Sequence, residues 1–348
     1  MENTEFRQEV QNKAIKILLN SDRAGVNISM RLGKTKIGLE TAQKFKKVLV
    51  SYPFESVKSA WISDSKEFNL PIEHITFTTN LSLYNEDLNL YDAIILDEYQ
   101  LISINLWEYI DGFKPKVVKG LSGTPPKGEK ASFVNKYCPI LYTVTLDETS
   151  GITSKDYEIV VHLLSPSNEN NILLKSGKKW SEKAKIQFWE NKYKQSRSFQ
   201  DMLRIIQSIQ NSDTKLNYFK TLASKIDRGL LFLETTKQCD EIGYPVYHSK
   251  SKQSEINLEL FQNEEIDKIA TISQLSVGKT FKNLKECIIL HCYASTNKSQ
   301  QKLGRVLNYV EGEKALIHIL CLNNTRDLQW TQKALEDLDQ SKITWKNI

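Results

Sequence analysis

Residues 25–35, with the sequence GVNISMRLGKT, contain the stretch that decides the fold. A run with strand-like composition ends at Met30, and a short loop then reaches Gly33, Lys34 and Thr35. Apolar residues follow at roughly helical spacing, namely Ile37, Leu39 and Ala42. The order of strand, tight loop and helix places backbone N–H groups at the helix start, where they can bind a phosphate. We therefore predict an α/β domain with a phosphate-binding loop.

The side chains of this loop suit a nucleotide and its metal ion. Gly33 permits close approach of the backbone, Lys34 can neutralise phosphates, and the Thr35 hydroxyl can bind Mg²⁺. The complete pattern has a further glycine five residues before Gly33, where this chain has Ile28. Because a Gly-Lys-Thr triplet also occurs by chance, an ordinary helix start remains an alternative at this point.

A second site follows at residues 92–100, with the sequence DAIILDEYQ. The apolar run resembles a buried strand, and acids at the carboxyl end of such a strand face the crevice where ligands bind. Asp97 can hold Mg²⁺ through water, and Glu98 can orient and deprotonate an attacking water. An Asp-Glu pair is also common in surface turns, but its position after the Gly-Lys-Thr triplet favours the ligand site.

Short β-branched or apolar runs alternate with longer amphipathic stretches in both halves, which predicts two domains with parallel sheets covered by helices. Strands are predicted in the first half at residues 25–30, 47–51, 74–78, 93–96, 117–121 and 140–144. In the second half they are predicted at residues 229–233, 269–272, 287–291 and 315–320. The expected domains are 1–146 and 213–348, joined by a connector at 147–212 with a strand-like run at 157–164.

The order of these motifs resembles that of superfamily 2 helicases, of a compact phage or bacterial type. Ser122, Gly123 and Thr124 resemble the Ser-Ala-Thr-Pro motif that couples hydrolysis to movement, although a polar turn would have a similar composition. The matches in the second half are GLLFL at 229–233, HSK at 248–250, TISQLSVGK at 271–279 and QKLGRVLN at 301–308. Together these motifs cover most of the chain in the order found in that family.

The resemblance implies two tandem RecA-like domains with an ATP cleft between them, and ATP with Mg²⁺ as cofactors. The implied catalytic residues are Glu98, Lys34, Gln100 and Arg305. The implied ATP-binding residues are Gly33, Lys34, Thr35, Asp97, Gln11, Gly278, Gln301 and Arg305, with Thr35 and Asp97 as the Mg²⁺ ligands. Ser122, Gly123 and Thr124 are the implied coupling residues.

The resemblance also implies a nucleic-acid partner, with DNA expected rather than RNA. Small hydroxyls suit contacts with the phosphate backbone, which position a strand without reading its sequence. The residues at the matching positions are Pro53, Thr78, Thr79, His248, Lys250, Thr271 and Ser273. A protein partner that supplies specificity would suit a chain with little beyond the core, and we expect a monomer.

Three departures from the family pattern bear on activity. Asn308 stands where relatives usually have an arginine finger, and Lys302 replaces another arginine. Gln100 occupies a position where His or Asp is more common. Gln11 resembles the glutamine of an adenine-recognising element, but one extra residue separates it from Arg7. Arg305 could compensate, or the protein could be a slow enzyme or an ATP-dependent clamp or scaffold that acts with a partner.

The distribution of charge along the chain supports a polyanionic partner more strongly than the net charge does. The net charge is +5, whereas residues 175–197 alone hold eight basic and two acidic residues, an excess of +6. Lysines such as Lys178 and Lys179 alternate there with aromatic residues, a pattern typical of single-strand binding. The alternative is a helix whose aromatic face packs on a domain and whose lysines are solvated.

Without a membrane-spanning run or signal peptide, we expect a cytoplasmic protein of a bacterium or a phage-infected cell.

Overall fold

The computed structural model describes residues 2–29, 32–124, 128–153, 155–173, 177, 179–272, 281, 283–293 and 313–348. The chain divides into two compact units, and the boundary follows residue 154. Each unit is built on its own parallel sheet. Both sheets therefore confirm the predicted fold class, an α/β protein of two parallel-sheet domains.

The first unit contains a six-stranded sheet in the order β3-β2-β4-β5-β1-β6. All neighbouring strands in it run parallel. Its strands are β1 Arg23–Ile28, β2 Val48–Tyr52, β3 Ile75–Thr79, β4 Ala93–Asp97, β5 Val118–Ser122 and β6 Ile140–Val144. Because β4, β5 and β1 are neighbours, the loops that follow their carboxyl ends lie side by side.

Helices cover both faces of this sheet. They are α1 Glu2–Asn20, α2 Lys34–Ala42, α3 Glu55–Glu67, α4 Ile104–Phe113, α5 Lys130–Tyr137 and α6 Leu146–Thr149, with short 3₁₀ turns at Ser82–Asn85, Leu88–Leu90 and Tyr99–Leu101. Side chains of one strand alternate between two cores: Val48 and Val50 pack in one, and Leu49 packs in the other. Strands buried on both faces are apolar throughout, which is why the sequence shows continuous apolar runs.

The second unit contains a seven-stranded parallel sheet in the order β11-β12-β10-β13-β14-β7-β15. Its strands are β7 Asp156–Leu164, β10 Gly229–Phe232, β11 Val246–Tyr247, β12 Lys268–Thr271, β13 Glu286–Ile289, β14 Lys314–Leu322 and β15 Ile343–Asn347. A small antiparallel hairpin is formed by β8 Ile172–Leu173 and β9 Lys179–Trp180.

The helices of the second unit complete a core around this sheet. They are α7 Glu182–Ser196, α8 Phe199–Gln210, α9 Asp213–Ala223, α10 Thr236–Glu241, α11 Ser254–Gln262 and α12 Arg326–Leu335, with a 3₁₀ turn at Gln340–Lys342. In the described part of the chain, no helix combines the length and apolar character that crossing a membrane requires.

The predicted strands agree with the structure to within two residues at each end. The connector differs from the expectation, because the segment predicted at 147–212 contributes β7, α7 and α8 to the second unit. The physical reason is that β7 pairs with β14 over nine residues, from Asp156 to Leu164. Two strands of the large sheet, β11 and β15, were not predicted.

Candidate functional site

The described end of the loop between β1 and α2 contains Gly33, which is in contact with the Gln11 side chain. Gly33 precedes α2 with φ 80° and ψ 47°, in the left-handed region. A Cβ atom at this position would lie 2.4 Å from Nε2 of Gln11, so the Gln11 side chain would have to move, and the positive φ would strain any larger residue. The same Nε2 donates a hydrogen bond to the Leu32 carbonyl at 2.9 Å. Gln11, predicted to recognise adenine, therefore contacts this loop directly.

Lys34 lies where the ends of three strands converge. Its Nζ donates to the Ile28 carbonyl at 3.3 Å and lies 3.7 Å from Oε1 of Glu98. A Cβ atom on Gly123 would lie 3.3 Å from the same Nζ, so Gly123 and the Lys34 ammonium are close neighbours. The structure therefore brings together Lys34 after β1, Glu98 after β4 and Gly123 after β5, as expected for one site.

Asp97 ends β4 and is almost completely buried. Its Oδ2 accepts a hydrogen bond from the Trp61 indole at 2.9 Å. Burial raises the pKa of Asp97 to about 6, with a further contribution from the Glu98 carboxylate, while Trp61 and Lys34 oppose the increase. A divalent cation beside Asp97 would favour the ionised form, as opposite charges do in general.

A second residue of α3 contacts the other predicted magnesium ligand. Asp64 forms a side-chain hydrogen bond with Thr35, and burial, aided by Glu67, raises the pKa of Asp64 despite this bond. Trp61 and Asp64 lie about one turn apart on α3. One helix thus contacts both Thr35 and Asp97.

The side-chain oxygens of Thr35 and Asp97 fit Mg²⁺ if a nucleotide and waters supply its remaining ligands. The Thr35 hydroxyl and the Asp97 carboxylate are hard oxygen ligands, and Mg²⁺ is usually bound through one or two such groups together with waters and phosphates. Among the described residues, no group of three or more His, Cys, Asp or Glu side chains could hold a metal ion by itself. The Lys34 ammonium beside Gly123 is a group that could bind a phosphate at this site.

A chain of hydrogen bonds connects the acid pair to the end of β5. The Gln100 amide nitrogen donates to Oε2 of Glu98, and the Ser122 hydroxyl lies 2.6 Å from the Gln100 amide oxygen. The Thr124 N–H donates to the Ser122 hydroxyl at 2.9 Å. Glu98 itself has φ 50°, an uncommon conformation for a residue with a side chain. The predicted catalytic Gln100 and coupling residue Ser122 are therefore in direct contact.

The residues predicted to bind nucleic acid in the first unit lie at the carboxyl ends of β2 and β3. Pro53 is half-buried and Thr78 is buried. The Thr79 hydroxyl donates to the Ser82 hydroxyl at 2.9 Å and accepts from the Ser82 N–H. Phe54, which was not predicted, is 61% exposed beside Pro53.

The corresponding residues of the second unit differ in exposure. His248 is buried, with Nε2 3.0 Å from a carboxylate oxygen of Asp240. Thr271 is buried and donates its hydroxyl hydrogen bond within the unit. Lys250 and Lys179 are exposed. The predicted residues Lys178, Ser273, Gly278, Gln301 and Arg305, as well as Lys302 and Asn308, lie outside the described residues.

Sequence reasoning did not identify Trp61 and Asp64 as site residues. Trp61 is a large apolar residue on an amphipathic helix, so its spacing indicates a core position and does not reveal where its N–H points. Its packing gives a structural signal, because a Cβ atom on Gly38 would lie 2.3 Å from the Trp61 ring. The glycine in α2 therefore makes room for the indole that contacts Asp97.

Comparison with known proteins establishes the fold. No family model and no curated protein match the chain. Among solved structures, the chain is similar to the Pyrococcus furiosus Hef helicase domain, with 14% identity and a TM-score of 0.51 over 94% of this chain and 97% of that one. The structure of T4 UvsW aligns with 97% of this chain and 76% of that one, at 14% identity and a TM-score of 0.36. The chain therefore has the α/β fold of two RecA-like domains that is seen in the Hef helicase domain.

Proposed function

We propose that the chain is an ATP-dependent nucleic-acid helicase or translocase of superfamily 2, which couples ATP hydrolysis to movement on, or remodelling of, DNA or RNA. The observation that carries this proposal is the convergence of Lys34, Glu98 and Gly123 at the carboxyl ends of three adjacent parallel strands. Ligands bind at this edge in open parallel sheets. The similarity to a helicase domain supports the same conclusion.

In this proposal, Lys34 and the backbone N–H groups after Gly33 bind the phosphates of ATP. Thr35 and Asp97 hold Mg²⁺, which supplies positive charge for the phosphoryl group during transfer. Trp61 keeps the Asp97 carboxylate in place through its indole hydrogen bond. The second domain contributes Gly278, Gln301 and Arg305, of which Arg305 stabilises the charge on the phosphoryl group.

Glu98 is the group that orients and deprotonates the attacking water. Its Oε2 is held by the Gln100 amide, and Oε1 lies 3.7 Å from the Lys34 ammonium. Because Ser122 bonds the other end of the Gln100 amide, a displacement of the β5 loop would change the position of Glu98. This contact gives Ser122, Gly123 and Thr124 a physical means of coupling hydrolysis to movement.

Nucleic acid is the proposed partner, with DNA favoured. The contacts in the first domain are Pro53, Thr78 and Thr79. Those in the second are His248, Lys250, Thr271, Ser273, Lys178 and Lys179. Lys250 and Lys179 are exposed and would contact a phosphate directly, whereas the buried Thr78, His248 and Thr271 would act by shaping the surface.

A second function is favoured by one residue. Asn308 stands where relatives usually have an arginine, and loss of an arginine finger can slow phosphoryl transfer by about 10³ to 10⁵. The alternative is therefore a weakly active or inactive clamp that binds nucleic acid in the presence of ATP and acts with a partner protein.

ATP hydrolysis measured with no polymer, single-stranded DNA, duplex DNA and RNA distinguishes these functions. Stimulation of about tenfold or more, equal to about 1.4 kcal/mol, by one polymer supports the motor. No stimulation by any polymer supports the clamp. Lys34→Ala is the control, because it should remove hydrolysis that belongs to this site.

Arg305→Ala should abolish hydrolysis and Asn308→Arg should not reduce it, whereas wild-type turnover in Arg305→Ala would contradict the role of Arg305.

A further inference from the structure

Helices α7 and α8 border a cavity of about 400 Å³ in the second unit. Lys185 and Trp189 line it from α7, and Arg204 and Gln207 line it from α8. Thr235, which caps α10, also contributes to the lining. This volume is within the range of small-ligand sites.

The cavity lies near the carboxyl ends of two neighbouring strands. Thr235 follows β10 by three residues, and Gln210, another lining residue, donates to the Tyr293 hydroxyl at 2.7 Å. Tyr293 follows β13, which is paired in parallel with β10. Ligand sites in parallel sheets form at this edge, so the position of the cavity is itself a functional indication.

The acidic side chains of α7 and α8 are occupied by contacts within the unit. Glu182 accepts hydrogen bonds from the Ser167 N–H and the Thr214 hydroxyl at 3.1 and 2.6 Å. Glu190 accepts from the Arg326 N–H at 2.7 Å. These bonds turn the two negative charges toward the protein.

The third acid of the two helices, Asp201, is also occupied. It is buried, accepts from the Ser196 hydroxyl at 2.6 Å and pairs with Lys192 at 3.5 Å. Bases of the same helices remain at the surface, namely Lys183, Lys194, Arg197 and Arg204. Among the described residues that line the cavity, none is acidic. The lining of the cavity therefore carries the positive charges of Lys185 and Arg204, while the nearby Glu234 carboxylate is engaged by Gln210 and Tyr293.

Trp189 determines what part of a polyanion the cavity can recognise. Its ring packs partly against the core of the unit, and the Arg204 guanidinium carbon lies 5.5 Å from the ring centroid. Lys192 Nζ lies 5.0 Å from the same centroid. Because protein groups already surround the ring, Trp189 orients Arg204 and is poorly placed to stack on a base. The planar fork of an oriented arginine suits phosphate oxygens.

We propose that the cavity between α7 and α8 binds a backbone phosphate of a single nucleic-acid strand, with Lys185 and Arg204 as the phosphate ligands. This inference rests on the proposed function and adds to it a specific binding site in the second unit. Recognition of a phosphate without a stacked base predicts binding that depends on salt and not on sequence.

Binding of a labelled oligothymidylate, followed by fluorescence anisotropy over a range of salt concentrations, tests the site. Lys185→Ala/Arg204→Ala should weaken binding by about tenfold and reduce the salt slope by about 0.7 for each phosphate that the chain no longer neutralises. Lys194→Ala/Arg197→Ala is the matched control, because it removes one lysine and one arginine from the end of α7 outside the cavity. Equal losses of affinity in the two double variants would contradict the proposal.

A second measurement uses the wild-type chain and does not depend on the folding of a variant. Amine acylation followed by mass spectrometry should show that the oligothymidylate protects Lys185 much more than Lys194. Equal protection of the two lysines would overturn the site, as would full protection of Lys185 by an acidic peptide of the same charge or by inorganic phosphate. A wild-type chain that binds no strand at any salt concentration would instead contradict the proposed function.

Discussion

Two buried aspartates, one in each unit, lie at or after the carboxyl end of a strand and have opposite environments. Asp327 follows β14 and contacts the Lys215 ammonium at 2.8 Å and His291 Nδ1 at 2.9 Å. Burial alone would raise the pKa of Asp327, but Lys215 and His291 outweigh it and lower the pKa to about 2. Asp97 ends β4 and receives the neutral Trp61 indole, and its pKa is raised to about 6.

This difference agrees with the proposal that Asp97 binds a cation, whereas Asp327 is paired within the fold. The charge of Asp327 is compensated within the unit, since Lys215 is also completely buried beside it. Asp97 is buried, and Lys34, the cation that lowers its pKa, lies 3.7 Å from Oε1 of Glu98. Under the proposed function, the charge of Asp97 would be compensated by a cation that arrives with the nucleotide.

The largest expected effect is on the rate of ATP hydrolysis, with no change in the stability of the fold. Glu98→Gln should slow ATP hydrolysis by about 10² to 10⁴, because the group that accepts the proton from water is lost. The urea midpoint should stay close to that of the wild type, since Glu98 is partly exposed. Phosphate release and urea denaturation measure the two properties, with nucleotide binding as the control for an intact site. Unchanged hydrolysis would remove Glu98 from the mechanism.

The next effect concerns stability in the second unit. Asp327→Asn should lower the free energy of unfolding by about 3 to 5 kcal/mol, because it leaves the Lys215 ammonium buried without its negative partner. Urea denaturation measures this change. Adding Lys215→Met to the Asp327→Asn chain should recover part of the stability. If Asp327→Asn leaves the free energy of unfolding unchanged, the contacts of Asp327 do not stabilise the unit. The proposed difference between Asp327 and Asp97 would then be wrong.

A smaller effect of opposite sign is expected in the first unit. Since the folded pKa of Asp97, about 6, exceeds the unfolded value of 3.8, the ionised group destabilises the fold above pH 6. Asp97→Asn should therefore increase the free energy of unfolding by about 3 kcal/mol at pH 8. The gain should diminish as the pH falls from about 6 to 3.8, where the wild-type carboxyl becomes protonated. Urea denaturation without Mg²⁺ tests this, and a gain that does not change with pH would contradict it.

The smallest effect concerns the position of the Asp97 carboxylate. Trp61→Phe should weaken the magnesium-dependent part of nucleotide binding by about tenfold, because a hydrogen bond to a charged group is removed. Magnesium titration with a fluorescent ATP analogue measures it. Trp107→Phe is the matched control, since that indole is also buried and its N–H has no hydrogen-bond partner in the described ranges. Equal weakening in the two variants would assign Trp61 to packing alone.

Local patterns predicted most of the fold and several of the residues that the structure brings together at the candidate site. The loop at Gly33 and the acids at Asp97 and Glu98 are each encoded within a few consecutive residues, so a strand followed by a polar turn was enough to find them. The strand β11 has only two residues, and four of the five residues of β15 are exposed, so neither has a strong apolar pattern.

Contacts between distant residues could not be predicted in the same way. Trp61 meets Asp97 across 36 positions, and Lys215 meets Asp327 across 112. The sequence separation within each pair does not distinguish it from other pairs that a tryptophan or a charged residue could form. Only the order of strands and the direction of each helix bring these groups together, and both are properties of the whole fold.

The pairing of β7 with both β14 and β15 has a practical consequence for shortened versions of this chain. Ile343 pairs with Ile159, and Asn347 pairs with Leu163, so the last strand covers one side of β7. Removal of residues 343–347 would leave the backbone N–H and C=O groups on that side without partners. An uncovered strand edge of this kind is a template for association with other chains. Trimming at this end therefore carries a risk of aggregation even though it removes no residue of the proposed nucleotide site.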